Sequence, residues 1–287
     1  MRRADGNGNG NGNENGNGDR AGRAGVWAVA GVFTAVAFLA AGALGAAQPG
    51  TGIPEEVVQL TQFGPALAVG AVAVFRLRRT RALLRGAAET AAGSRPLAGA
   101  LLLGAAGLIV ALSVLGSCAA GGEADFTPPG SLHHSFVLIA VAQLVGACGE
   151  EVGWRCFLQP LLRTRLGTLA SSVTVGVLWG AWHVPVFAQA PAYAAGFLVA
   201  TTAMSVLLGI ALDGTGGWRR LLLAGGFHAL VNLGLLLFLD EESGAVRPML
   251  CFGLSCLVVA VLAAALRRGR RAPGPAAVPA PATLHGT

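Results

Sequence analysis

The hydrophobic positions of the chain fall into eight long runs separated by short polar breaks, near 26–47, 57–75, 97–118, 133–162, 168–187, 192–212, 218–239 and 248–266. A bilayer crossing needs roughly 20 apolar residues at about 1.5 Å of rise each. Each run therefore predicts one membrane-spanning helix. The fold class that follows is an all-α, polytopic membrane helical bundle of about eight transmembrane helices. The fourth run is longer than one crossing needs, and its second half carries Arg155 and Arg163. It predicts a tilted helix that emerges into the interface. Pro185 is expected to bend or end the fifth helix just past His183, because a proline ring cannot continue one.

The flanks differ in kind. Residues 1–24 are a Gly/Asn repeat and residues 268–287 are basic, then rich in Pro and Ala. Neither can bury a core, so both are expected to be disordered tails. The first lacks a short apolar segment beside a small-residue cleavage pattern, so no signal peptide is expected.

Composition agrees with a membrane protein. The 287 residues are 54% hydrophobic and 12% charged, with a mean hydropathy of +0.63. There are 20 basic residues, all of them arginine, which points to coding bias rather than chemistry. The net charge of +6 does not imply nucleic acid, because the arginines sit in links between apolar runs. Arg76, Arg78, Arg79, Arg81, Arg85 and Arg95 follow the second run, Arg163 and Arg165 the fourth, and Arg219 and Arg220 the sixth. Arg267, Arg268, Arg270 and Arg271 follow the eighth, whereas the alternate links hold only Arg247. The positive-inside bias places both termini in the cytoplasm, in a multi-pass protein of the cell membrane. The five cysteines form no CxxC pair, so neither a disulfide framework nor a thiolate zinc site is expected.

Against this background a few buried polar residues stand out, since ionisable groups inside a membrane are costly and mark function by default. Glu150 and Glu151 end the apolar stretch SFVLIAVAQLVGACG, and Arg155 follows. Residues four apart share a helix face. Glu151 and Arg155 therefore form a structural ion pair, whereas Glu150 projects about 100° away without a local partner. His183 closes the fifth run, between Trp179 and Trp182 on one side and Pro185 on the other. His228 and Asn232, again four apart, share a face of the seventh. Glu150 and His183 lie equally far from the predicted turn at Leu166 and Gly167, rising roughly 25 Å from it. His228 and Asn232 rise roughly 16 and 22 Å from the next turn on the same side. All four can meet in one layer, with Trp179 and Trp182 as its wall. His133, His134 and His285 receive no role. Small residues at four-residue spacing, Gly149/Gly153 and Gly176/Gly180, predict close helix contacts.

At these residues the chain resembles a known family. Glu150-Glu151-Val152-Gly153-Trp154-Arg155 fits an EExxxR motif. Trp179-Gly180-Ala181-Trp182-His183 fits FxxxH with Trp for Phe, and His228-Ala229-Leu230-Val231-Asn232 fits HxxxN. Together they resemble the CPBP family of type II CAAX prenyl endopeptidases and lysostaphin-resistance-like membrane proteins, over about residues 130–240. The resemblance divides the chain into N-terminal helices over 25–128, a protease-like core over 129–240 and a last helix over 241–267. It implies an intramembrane endopeptidase acting on a membrane-associated peptide or protein, with membrane lipid as surroundings and no nucleic acid partner. Glu150 would activate water, His183 would orient it, and His228 and Asn232 would stabilise the oxyanion. The family's eukaryotic members cut after a prenylated cysteine and its bacterial members are linked to bacteriocins, so the resemblance leaves the substrate open. A zinc ion is compatible with the family and would be held by Glu150, His183 and His228. The HExxH spacing is absent, and a metal-free glutamate mechanism is slightly favoured. Two other classes fit intramembrane Glu, His and Arg: a proton-coupled transporter, which would usually show repeated halves, and a non-catalytic immunity or scaffold protein.

Overall fold

The computed structural model describes the backbone of residues 11–85, 96–123, 126–239 and 244–271, with side chains over 25–85, 97–123, 126–239 and 244–269. Residues 1–10 and 272–287 of the tails expected over 1–24 and 268–287, and Arg95, lie outside these residues. Nine α-helices and no strand occur among the described residues. They are α1 (Asn11–Ala47), α2 (Gly64–Arg85), α3 (Pro96–Ala119), α4 (Phe136–Gly153), α5 (Gln159–Arg163), α6 (Thr168–Trp182), α7 (Pro191–Ala211), α8 (Gly217–Phe238) and α9 (Val246–Arg271). The protein is an all-α polytopic membrane bundle.

Among the described residues seven spans are long and apolar enough to cross a bilayer: Gly25–Gly50, Leu60–Arg85, Leu97–Ala119, Phe136–Arg163, Pro191–Ala211, Gly217–Phe238 and Val246–Gly269. The fifth predicted run gives only the 15-residue α6, roughly 22 Å of helix. The reason is local. Pro185 has no N–H for the carbonyl four residues back and its ring would clash there, so the helix gives way at His183, with φ −77° and ψ 64°, and a 3₁₀ turn over Val184–Ala188 follows. α1 begins at Asn11, upstream of its apolar part, within the residues expected to form a tail. α2 kinks at Arg76, with φ −137° and ψ 38°, at the first residue of its basic end.

The fourth run departs from expectation. Its second half does not emerge but stays buried: Trp154, Arg155, Phe157, Leu158, Leu161 and Leu162 are at most 1% exposed. Between α4 and α5 the chain makes a π turn, Trp154–Leu158, in which the Gln159 N–H reaches the Trp154 carbonyl. Pro160 accounts for it. A proline lacks an N–H and clashes with the carbonyl four residues back, and one residue of π geometry absorbs the misfit. The Arg155 carbonyl would be the next acceptor in π register, but Pro160 has no N–H to offer it. Arg220 of α8 supplies a donor instead, Nη1 lying 3.4 Å from that oxygen.

α4 packs along α2 and α8, α6 along α7, and α3 and α7 along α9. Glycines set the close approaches. Cβ atoms on Gly149 and Gly153 would run into Phe63 and Pro65, and those on Gly176 and Gly180 into Thr202, Ser205, Thr201 and Leu198. Both predicted pairs are therefore helix contacts. The N-terminal helices, which carry no motif, buttress the core. Phe33 meets Trp154 edge-on at 5.5 Å and Phe157 at 5.3 Å, and the Trp182 indole donates to the Ala37 carbonyl at 3.1 Å.

On the basic side of the bundle, Asp213 in the α7–α8 turn pairs with Arg163 of α5 and Arg267 of α9. Burial opposes its ionisation, but the two guanidiniums outweigh it and hold the carboxyl below its ordinary range. On the other side the Glu56 carboxylate accepts from the His133 amide at 3.0 Å and meets His134 Nδ1 at 2.6 Å. The His134 contact is the main reason that Glu56 titrates below its ordinary value. Two of the three histidines left without a role, His133 and His134, thus clamp the α1–α2 link to the start of α4.

Candidate active site

The site begins with the helix break at His183. In a continuing helix the Trp179 carbonyl would accept from the main-chain N–H of residue 183. That N–H instead reaches Gly180 at 3.2 Å. The Trp179 carbonyl is left to accept from His183 Nδ1, 2.9 Å away. A carbonyl accepts only, so Nδ1 carries the proton and Nε2 of the neutral ring keeps its lone pair.

Glu150 and Glu151 are 1% and 0% exposed and face different helices, as their 100° offset requires. Glu151 Oε2 lies 3.4 Å from Nε of Arg155, both side chains fully buried. This is the predicted ion pair. The guanidinium carbon also sits 4.4 Å from the centre of the Trp179 ring, a cation–π contact. The other oxygen of Glu151 meets Nδ1 of His228 at 3.1 Å. Glu151 therefore ties α4 to α8 as well as to Arg155.

Glu150 points to α6. Its Oε2 accepts from the Trp179 indole N–H at 2.7 Å. The Trp-for-Phe replacement in the second motif is thus not a neutral change of aromatic, because the indole adds a donor. The edge contacts of Trp179 reach His183 at 6.0 Å and His228 at 5.1 Å between ring centres. Trp182 packs edge-on against His183 at 4.9 Å, and Phe197 of α7 does so at 4.9 Å. Glu150, His183 and His228, from three separate helices, therefore surround one indole.

Asn232 stands one turn further along α8. Its Nδ2 donates to Oε1 of Gln143 at 3.2 Å. Gln143 was not anticipated. It is polar within the apolar stretch and lies seven residues, two turns, before Glu150, a spacing that marks the same helix face. Cys148 fills the space opposite Gly225 of α8.

The zinc ligand set does not assemble. Among the described residues no three His, Cys, Asp or Glu side chains group so as to hold a metal ion. Nδ1 of His228 faces Glu151, Nδ1 of His183 faces the Trp179 carbonyl and Oε2 of Glu150 faces the indole; the atoms of the set that would have to reach an ion are the two Nε2 nitrogens and Oε1.

Residues 132–234, which contain all three motifs and Gln143, match the profile of the family described as type II CAAX prenyl endopeptidase Rce1-like. Over these residues the chain is similar to the CPBP family. It is also similar to two curated proteins named lysostaphin resistance protein A. One, from Staphylococcus epidermidis, is 28% identical over 127 residues, 44% of this chain and 33% of the relative. The other, from Staphylococcus aureus, is 28% identical over 123 residues, 43% of this chain and 29% of the relative. The chain thus matches about a third of the length of these relatives. The CPBP match stops short of α1 and α2, whose Phe33, Ala37 and Pro65 pack against its buried helices.

Proposed function

We propose that the protein is a CAAX-type intramembrane endopeptidase in which Glu150 activates water to hydrolyse a peptide bond of a membrane-associated peptide or protein. The observation that carries this reading is the division of labour between adjacent glutamates. Glu151 is engaged on both oxygens by Arg155 and His228. Among the described residues Glu150 is held through Oε2 alone, which leaves Oε1 for chemistry.

The steps follow from donor and acceptor capacity. A water beside Glu150 gives one proton to the carboxylate, and its oxygen attacks the scissile carbonyl carbon. Nε2 of His183 accepts a hydrogen bond from that water and aims its lone pair. The carbonyl oxygen becomes an oxyanion that needs donors in a water-poor site. Asn232 has two amide hydrogens and spends one on Gln143, so the second serves the oxyanion. His228 presents Nδ1 to Glu151. To donate from Nε2 as well, its ring carries both protons, and the Glu151 carboxylate is the counter-charge. The carboxylic acid of Glu150 then protonates the departing nitrogen, and the C–N bond breaks. The sequence needs no co-reactant beyond water.

The test uses purified full-length protein in lipid nanodiscs and quenched-fluorescent peptides, with and without a farnesylated cysteine in a CAAX-type tail. Wild type is expected to cleave at least one class. Glu150→Gln, with its melting temperature preserved, is expected to lose at least a thousandfold, as when an essential base is removed. Failure of wild type to cleave any probe, or full activity of Glu150→Gln, contradicts the reading.

A further inference from the structure

Trp179 donates to Glu150 from a ring that has almost no freedom to leave. The indole is 2% exposed and Glu150 1%, and their hydrogen bond of 2.7 Å is in the short range for a donor to a charged acceptor. The ring face carries the Arg155 guanidinium at 4.4 Å. Its surroundings include the His183 and His228 rings at 6.0 and 5.1 Å. The main-chain carbonyl of the same residue fixes the proton of His183 on Nδ1. One residue thus reaches both groups that would handle the attacking water.

We propose that Trp179 is a positioning residue whose indole N–H keeps Oε2 of Glu150 an acceptor throughout the cycle, so that every proton transfer runs through Oε1. The inference rests on the endopeptidase reading and deepens it. An indole N–H donates and never accepts. It can bond Oε2 whether Glu150 is a carboxylate or an acid, provided the acid proton is on Oε1. The bookkeeping is then fixed. A water O–H breaks as Oε1–H forms, and the water oxygen bonds to the carbonyl carbon. Later Oε1–H breaks, the proton passes to the leaving nitrogen, and the C–N bond opens. Without the indole the carboxyl can rotate or take the proton on Oε2, away from the substrate, and turnovers are lost.

Trp179→Phe keeps an aromatic ring beside Arg155 and removes the indole N–H together with part of the ring's buried volume. With the farnesylated and unmodified quenched peptides, kcat is expected to fall about tenfold or more, the worth of one hydrogen bond to a charged group. KM is expected to stay within about twofold, since substrate contacts are untouched. Glu150→Gln in parallel separates the two ideas. Wild-type kcat in Trp179→Phe beside an inactive Glu150→Gln overturns the role of Trp179 and spares the endopeptidase reading. Wild-type rates in both overturn that reading. A second measurement does not depend on activity or on the folding of Trp179→Phe. Among the 5 tryptophans, the indole resonance of Trp179 in ¹⁵N-labelled protein is expected to move when Glu150 becomes Gln. An unmoved set of five indole resonances overturns the contact itself.

Discussion

Replacing Glu151 by Gln is expected to destabilise the protein's centre, whereas the same change at Glu150 leaves its stability nearly unchanged. The magnitude follows from the surroundings of Arg155. Its side chain and that of Glu151 are both 0% exposed, 3.4 Å apart. Among the described residues the three guanidinium nitrogens have no hydrogen-bond partner, so Glu151 is the charge that compensates this cation. Removing one member of a buried ion pair costs about 3–5 kcal/mol, because the other charge remains buried. The Trp179 face at 4.4 Å returns only about 1–2 kcal/mol of attraction, and wild type has it too. At roughly 2–4 °C per kcal/mol, Glu151→Gln is expected to melt about 10 °C below wild type in detergent, read by tryptophan fluorescence. Glu150→Gln keeps a carbonyl oxygen for the indole and is expected to melt within about 3 °C of wild type. The double variant Glu151→Gln/Arg155→Met removes both charges and is expected to recover most of the loss, as apolar replacement of a buried pair is near neutral. The reasoning is refuted if Glu151→Gln melts with wild type, if Glu150→Gln falls as far, or if the double variant is worse than the single one.

Gln143→Leu frees the Asn232 amide to turn, and is expected to lower kcat several-fold with KM nearly constant in the quenched-peptide assay. Gly176→Leu forces a side chain against Thr202 and Ser205 and is expected to destabilise by about 1–3 kcal/mol from overpacking, measured by thermal melting. Glu56 titrates below its ordinary value because of His134. A carboxyl depressed in the folded state stabilises above its unfolded pKa, and that contribution disappears as pH falls through the folded one. Hydrogen exchange in the 48–60 link is therefore expected to rise on acidification below about pH 4, and Glu56→Gln to show the raised exchange at neutral pH. Asp213 is depressed in the same sense by Arg163 and Arg267, so Asp213→Asn is expected to loosen the end of α9, seen as faster exchange over 263–269.

Much of the architecture was written in run lengths and arginine positions. Seven of the eight runs became full-length spans, because apolar length is the property a bilayer selects. The Glu151–Arg155 pair was legible from i,i+4 spacing alone, and the two glycine pairs from theirs. What escaped depends on neighbours from other helices. The link from His228 to Glu151 is a matter of how α8 sits on α4, which no spacing encodes. The burial of the chain beyond Arg155 was missed because its arginines suggested an interface, whereas Glu151 pairs with Arg155 inside the bundle and Arg163 meets Asp213 at the partly exposed end of α5. Pro160 was the unread signal for the π turn, and Gln143, two turns before Glu150, for the partner of Asn232. Trp179 looked like a wall because its ring is apolar; only the direction of its N–H reveals the contact with Glu150.

The account turns on water activated by Glu150, and cleavage in H₂¹⁸O reads that step directly. Wild-type protein incubated with a peptide that it cleaves is expected to yield a product whose new carboxylate carries ¹⁸O. Folded Glu150→Gln is expected to yield none over the same period. Labelled product from Glu150→Gln at the wild-type rate would contradict the assignment of Glu150 as the base.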